Sequence, residues 1–186
     1  MGRQIRGTDR IFWYVLMART GREQEAKAEI QSHWDTEHIL PFLPVKEIYF
    51  RKAGTVQKEN RLLFPGYVFV ETTVESHDFL VMALQFIKRT NTFFRVLEYG
   101  DSKEIAVREE EKVFWQKILN QNYCVECSRG VIEGDRVRVK EGPFIGSESR
   151  IKKIDRHKRQ AVMELELMGA PRSISVSFEV LEKIAD

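Results

Sequence analysis

Residues 150–159 hold six Lys/Arg, one His and one Asp in ten positions. The cations are Arg150, Lys152, Lys153, Arg156, Lys158 and Arg159, with His157 among them. Cations at this density displace the counterions condensed on a phosphate backbone, whatever the base sequence. Arg and His also stack on unpaired bases or hydrogen-bond to them, which Lys does less well. Ile151 is apolar and sits inside the run, so the run belongs to a folded element and not to a free basic tail. Strand alternation with a turn near 156–158 would spread the charges along one edge of a β-structure. The competing reading is a solvated turn that keeps a small domain soluble.

A second stretch, 63–70, reads Leu-Phe-Pro-Gly-Tyr-Val-Phe-Val. Pro65-Gly66 is a turn signal flanked by Phe64 and Tyr67. Turns lie at the surface, so two rings there are expected to form an apolar patch of the kind that marks a protein partner. The alternative is that both rings close the end of a local core.

Other chemistry is thin. Cys124 and Cys127 have the spacing of half a zinc site, but a structural site wants four ligands, and His33 and His38 lie in another element. A redox Cys-x-x-Cys belongs at a helix start, whereas this pair follows a helix. No metal and no cofactor are expected. The chain has no Gly-rich phosphate loop, no Gly-x-Ser-x-Gly and no His-Glu-x-x-His, so no catalytic residue is assigned and the chain reads as non-enzymatic. Glu109, Glu110 and Glu111 read as a wet helix face. Trp13, Trp34 and Trp115 read as core.

The elements that must position these residues follow from periodicity. Residues 11–17 are an apolar, aromatic run read as a buried strand. Ala26, Ile30 and Trp34 then recur at four-residue spacing on an amphipathic helix. Residues 45–50 read as an open-faced strand, 51–61 as a mobile polar loop, and 67–71 as a strand. Ser76 is expected to cap a helix over 78–88 whose inner face holds Phe79, Ala83, Leu84 and Ile87. Residues 93–97 give a fourth strand, and 106–119 a further helix. The order strand, helix, strand, strand, helix, strand is the split βαβ, ferredoxin-like arrangement. Residues 120–130 are polar and aperiodic, as a linker would be. Beyond them, strict alternation at 136–139 and 173–178 predicts several short strands in a small β-barrel. The fold class is therefore α+β. The expected domains are 11–119, a flexible linker over 120–130, and a barrel over 131–186.

The totals agree with folded material: 186 residues, 42% apolar and 11% aromatic. Net charge is only +2, so the distribution of charge matters more than its sum. No apolar run approaches the ~20 residues of a bilayer span. Residues 1–10 read as a loose basic tail without a secretion signal. Two cysteines are too few for a disulfide scaffold, and a cytoplasmic monomer is expected.

Three motifs in this order resemble the NusG family of bacterial transcription elongation factors. They are Trp13-Tyr14-Val15-Leu16 with Gly21 and Glu23 following, Phe64-Pro65-Gly66-Tyr67-Val68, and Gly134-Asp135-Arg136-Val137-Arg138-Val139 with Gly142-Pro143-Phe144. The resemblance implies an N-terminal ferredoxin-like (NGN) domain joined by a linker to an SH3-like KOW barrel. It implies that Trp13, Tyr14, Phe64, Pro65, Gly66 and Tyr67 face RNA polymerase. The chain departs from the housekeeping pattern at Ser149, where the KOW motif usually has Gly, and over 167–172. Residues 150–159, with Met168-Gly169 and 179–184, are instead similar to the specialised LoaP-type branch of antiterminators. That branch's barrel reads an RNA hairpin in the nascent leader. The RNA-binding set so implied is Lys140, Arg150, Lys152, Lys153, Arg156, His157, Lys158, Arg159 and Arg172. The alternative is a general elongation factor whose barrel binds a termination factor or the ribosome rather than RNA.

Overall fold

β1 (Phe12–Ala18) is the aromatic run anticipated at the start of the chain, and it lies inside a four-stranded sheet. A computed structural model describes residues 10–134 and 136–184. Expectations for Asp135 and for most of the N-terminal tail fall outside them. The chain forms two units. The first comprises the chain up to Pro44 together with Phe64–Val113. The second comprises Val45–Leu63 and the chain from Phe114 onward.

In the first unit, β1 is followed by α1 (Glu23–His33), β2 (Ile39–Phe42), β5 (Tyr67–Thr72), α2 (Ser76–Arg89) and β6 (Phe93–Val96). The sheet order is β2-β5-β1-β6 and every pairing is antiparallel. This is the ferredoxin-like order read from the sequence, with one change of identity. The second sheet strand is Ile39–Phe42, not 45–50. Pro41 lies within it, which is tolerated because β2 is the edge strand.

Alternation along β1 sends side chains to both faces. On one face Tyr14 stacks on Phe79 at 3.9 Å, and Trp34 packs on Phe79 and Phe86. On the other Trp13 meets Phe42 at 5.0 Å, and Phe42 and Phe64 both pack on Phe69. The inner face of α2 is Phe79, Ala83 and Phe86, whereas Leu84 is 46% exposed. The expected face ran one column too far round the helix. Ser76 is also not the cap. It is the first helical residue after the N-cap Glu75, and its hydroxyl lies 3.4 Å from the Tyr14 hydroxyl.

The second unit begins with a hairpin the sequence reading missed. β3 (Val45–Lys52) pairs residue for residue with β4 (Thr55–Leu62) across the two-residue turn Ala53-Gly54. Both turn residues have positive φ, the requirement of the tight hairpin turn that matches strand twist. The expected mobile loop over 51–61 is therefore mostly strand. β4 is exposed along nearly its whole length, so it carries no apolar period.

α3 (Glu109–Ile118) leads into β7 (Cys124–Val125), β8 (Ser128–Glu133), β9 (Arg136–Glu141), a 3-10 turn (Glu148–Arg150), β10 (Ile151–Asp155), β11 (Gln160–Leu167) and β12 (Ala170–Ile184). β7 adds in parallel to β3. The other five strands follow the order β10-β11-β12-β8-β9. β12 pairs antiparallel with β11 and then in parallel with β8, so one strand serves two partners. Ala161, Met163, Leu165 and Leu167 alternate inward along β11, onto a core that includes Phe144, Val176 and Phe178.

Residues 120–130, expected as an open linker, thus hold β7 and the start of β8, with Cys124, Val125 and Ser128 buried. The polar composition misled because these short strands are held by backbone pairing. Ser149 sits in the 3-10 turn without a positive φ, so the absence of Gly there carries no strain. Among the described residues no helix is long and apolar enough to cross a membrane.

Candidate functional site

The Phe64-Pro65-Gly66-Tyr67 segment is a type II turn. Tyr67 N–H donates to the Phe64 carbonyl at 3.3 Å, with Pro65 at the second position and Gly66 at the third with φ +86°. Gly66 must be Gly: a Cβ there would sit 3.0 Å from Thr20 Oγ1 and would also need a left-handed backbone. Pro65 is exposed and Tyr67 half-buried, while Phe64 is only 5% exposed and stacks on Phe69. The expectation of two outward rings is corrected at Phe64, because the strand that follows the turn carries its own aromatic partner.

Trp13 and Tyr14 are also buried, as core. Trp13 Nε1–H donates to Glu71 Oε2 at 2.8 Å, from the residue directly opposite it on β5. The Tyr14 hydroxyl donates to the Val74 carbonyl at 2.9 Å. Burial raises the Tyr14 phenol above its ordinary range, and a hydrogen bond with Ser76 only partly opposes this. Of the six residues, Pro65 and part of Tyr67 reach the surface, and the other four form their support.

The support includes a residue that sequence reasoning noted but gave no role. Glu23, buried at the start of α1, accepts the Gly66 N–H at 2.7 Å on one oxygen and the Gly21 N–H at 2.9 Å on the other. Burial pushes this carboxyl up. Backbone N–H donors from Gly21, Glu23 and Gly66 more than offset it, so the group titrates below its ordinary value. The available signal was a Glu two residues after a turn glycine.

The cationic set gathers on β10 and the turn after it. β10 is an edge strand, and its pairing with β11 slips between Ile151 and Lys153. That bulge is why the consecutive Lys152 and Lys153 are both exposed instead of alternating. Residues 156–159 form the turn, with all four side chains exposed. Asp155 organises it, accepting the Lys158 N–H at 3.0 Å. That bond, and more weakly the nearby cations, hold its carboxyl below the usual range. Arg159 closes the turn with φ +51°.

Several of these cations face carboxylates: Lys152 faces Glu164 at 3.4 Å, Lys158 faces Asp155 at 3.9 Å, and Arg159 faces Glu179 at 3.7 Å. Among the described residues Lys153, Arg156 and His157 form no ion pair. Arg150 lies over the Phe114 ring at 4.5 Å. Lys140 is exposed on β9, at the other end of the strand order, and Arg172 is half-buried on β12. Neither lies on the β10 hairpin. Sequence reasoning left out Arg136 and Arg138, exposed at alternate positions on β9 beside Lys140.

Cys124 is buried, and its thiol is pushed up by burial and then by Glu47 and Glu126. Burial does the same to Cys127, with Glu179 next. Among the described residues no group of three His, Cys, Asp or Glu could hold a metal.

The family model described as "NusG: Transcription termination factor nusG" matches residues 12–114. The Haemophilus influenzae protein named transcription termination/antitermination protein NusG is 26% identical over 182 residues, covering 92% of this chain and 94% of its own. Its namesake from Halalkalibacterium halodurans is 27% identical over 181 residues, covering 92% and 98%. A solved structure described as "Domain interaction in Thermotoga maritima NusG" is similar with a TM-score of 0.49 and 20% identity, covering 90% of this chain and 94% of that one.

Proposed function

Because the chain belongs to the NusG family of transcription termination/antitermination factors, we propose that it is a non-enzymatic processive antiterminator of the LoaP type. The first unit grips RNA polymerase and the second grips a structured hairpin in the nascent RNA. This reading takes a cytoplasmic monomer without a cofactor.

The observation that carries the RNA half is the bulged edge strand β10, which turns Lys152 and Lys153 outward together beside the exposed cations of the following turn. Stem phosphates would supply affinity through counterion release, and Arg156, His157 and Arg159 would address loop or bulge bases. The polymerase half rests on the Pro65-Gly66 turn, which offers Pro65 and Tyr67 on a rigid aromatic base. Two grips on one chain raise each other's effective concentration.

A second reading is a general elongation factor whose β-unit binds a termination factor or a ribosomal protein. It is favoured by the carboxylates facing Lys152, Lys158 and Arg159, which temper the attraction for phosphate. In-vitro transcription past a terminator separates the two. The antiterminator reading expects readthrough only when the template encodes the leader hairpin. Readthrough independent of that hairpin supports the second reading and overturns the first.

A further inference from the structure

The Phe64 to Tyr67 turn is closed by a long bond of its own, 3.3 Å, and is held more tightly from outside. Ala18 N–H donates to the Gly66 carbonyl at 2.8 Å, and Gly66 N–H donates to Glu23 Oε1 at 2.7 Å. The second Glu23 oxygen holds the Gly21 N–H. Type I and type II turns differ by a flip of the central peptide, here the one joining Pro65 to Gly66. The N–H that swings in that flip is the one Glu23 holds.

We infer that Glu23 is a positioning residue whose buried carboxylate selects one orientation of the Pro65–Gly66 peptide, and so sets how Pro65 and Tyr67 are presented to polymerase. The inference rests on the docking reading of that turn. A carboxylate suits the task because, when ionised, it is acceptor-only and can receive two N–H groups at once. Gln cannot: its NH2 would face one of the two donors. Hydrogen bonds to charged acceptors are also the strong ones.

The test uses the full chain carrying Glu23→Gln, read by amide NMR and by titration with core polymerase. Loss of the clamp is expected to move the Gly66 amide proton strongly upfield and to speed exchange at Gly66 and Tyr67 at least about ten-fold. Polymerase affinity should weaken about ten-fold. Exchange in β1, and in β5 from Val68 onward, should stay unchanged. Unchanged affinity with a released Gly66 amide overturns the inference. So does exchange that accelerates equally in β1 and in β5 from Val68 onward, since that is a merely structural role.

Should Glu23→Gln fail to fold, the unaltered protein still decides. The Gly66 amide shift must follow a carboxyl titration with its midpoint below the ordinary Glu value, and an amide that ignores it overturns the clamp. Tyr67→Ala serves as the control: if it binds polymerase normally, the docking reading itself falls, and the inference with it. If Tyr67→Ala loses binding while Glu23→Gln keeps it, only the inference falls.

Discussion

Ser177 Oγ donates to the Glu47 carbonyl at 2.6 Å, joining residues 130 positions apart. Beside it Lys46 Nζ donates to the Ser175 carbonyl, and β7 pairs with β3. These bonds make the β3–β4 hairpin part of the second unit, although in sequence it interrupts the first.

The sequence-based boundary at 131 also cuts through β8, whose residues 128–130 pair with 178–180 of β12. A fragment spanning 131–186 is therefore expected to melt at a lower temperature, and less cooperatively, than one spanning 120–186. Circular dichroism melts check this. Coincident melts would mean that the pairing at 128–130 contributes nothing.

Lys152 and Lys153 stand together at the β10 bulge. Replacing both with Ala should weaken RNA binding. It should also flatten the dependence of log K on log salt by roughly one unit per lost phosphate contact. Gel shifts across a salt series measure the slope, and an unchanged slope removes both lysines from the interface.

Trp13 is buried and donates its indole N–H to Glu71. Trp13→Phe leaves a nearly buried carboxylate without its donor, at an expected cost of about 1.5–3 kcal/mol. Denaturant melts should show that loss, while polymerase affinity per folded molecule stays the same. A variant of normal stability and poor affinity would place Trp13 in direct contact with the partner.

Glu47 gives the second unit an acid limit. Burial raises its carboxyl, but the Lys58 ammonium at 2.7 Å, the Cys127 N–H and Tyr49 more than offset this, so it titrates below its ordinary value. A lowered folded pKa contributes stability that is present above the unfolded value, near 4.5, and is lost as pH falls through the folded one. Glu47→Gln should therefore be less stable than the parent at neutral pH and should lose less on acidification. Parallel melting curves from pH 7 to pH 3 would contradict this.

Most of the first unit's layout was readable because Ala26 and Ile30, and Phe79 and Ala83, recur at helical spacing, and because 11–17 is a short apolar, aromatic-rich run; its second strand was not, since Ile39–Phe42 is only four residues and contains Pro41. The hairpin was not, since Ala53-Gly54 is a weak turn signal and β4 buries almost nothing. The cationic edge could be read from composition and one isoleucine. The bulge that turns Lys152 and Lys153 the same way could not, because it depends on register against β11. The turn at Pro65 was visible as a turn, but the burial of Phe64 depends on Phe69, and the role of Glu23 on a contact across 43 residues.

The account stands on separable grips, so the deciding measurement is made on one variant with two partners. Full-length Tyr67→Ala is titrated with core RNA polymerase at low ionic strength and, in parallel, with leader hairpin RNA. The account predicts that polymerase binding is lost and RNA binding is kept at the parent's affinity. Polymerase binding that survives the substitution, or a joint loss of both partners, would contradict it.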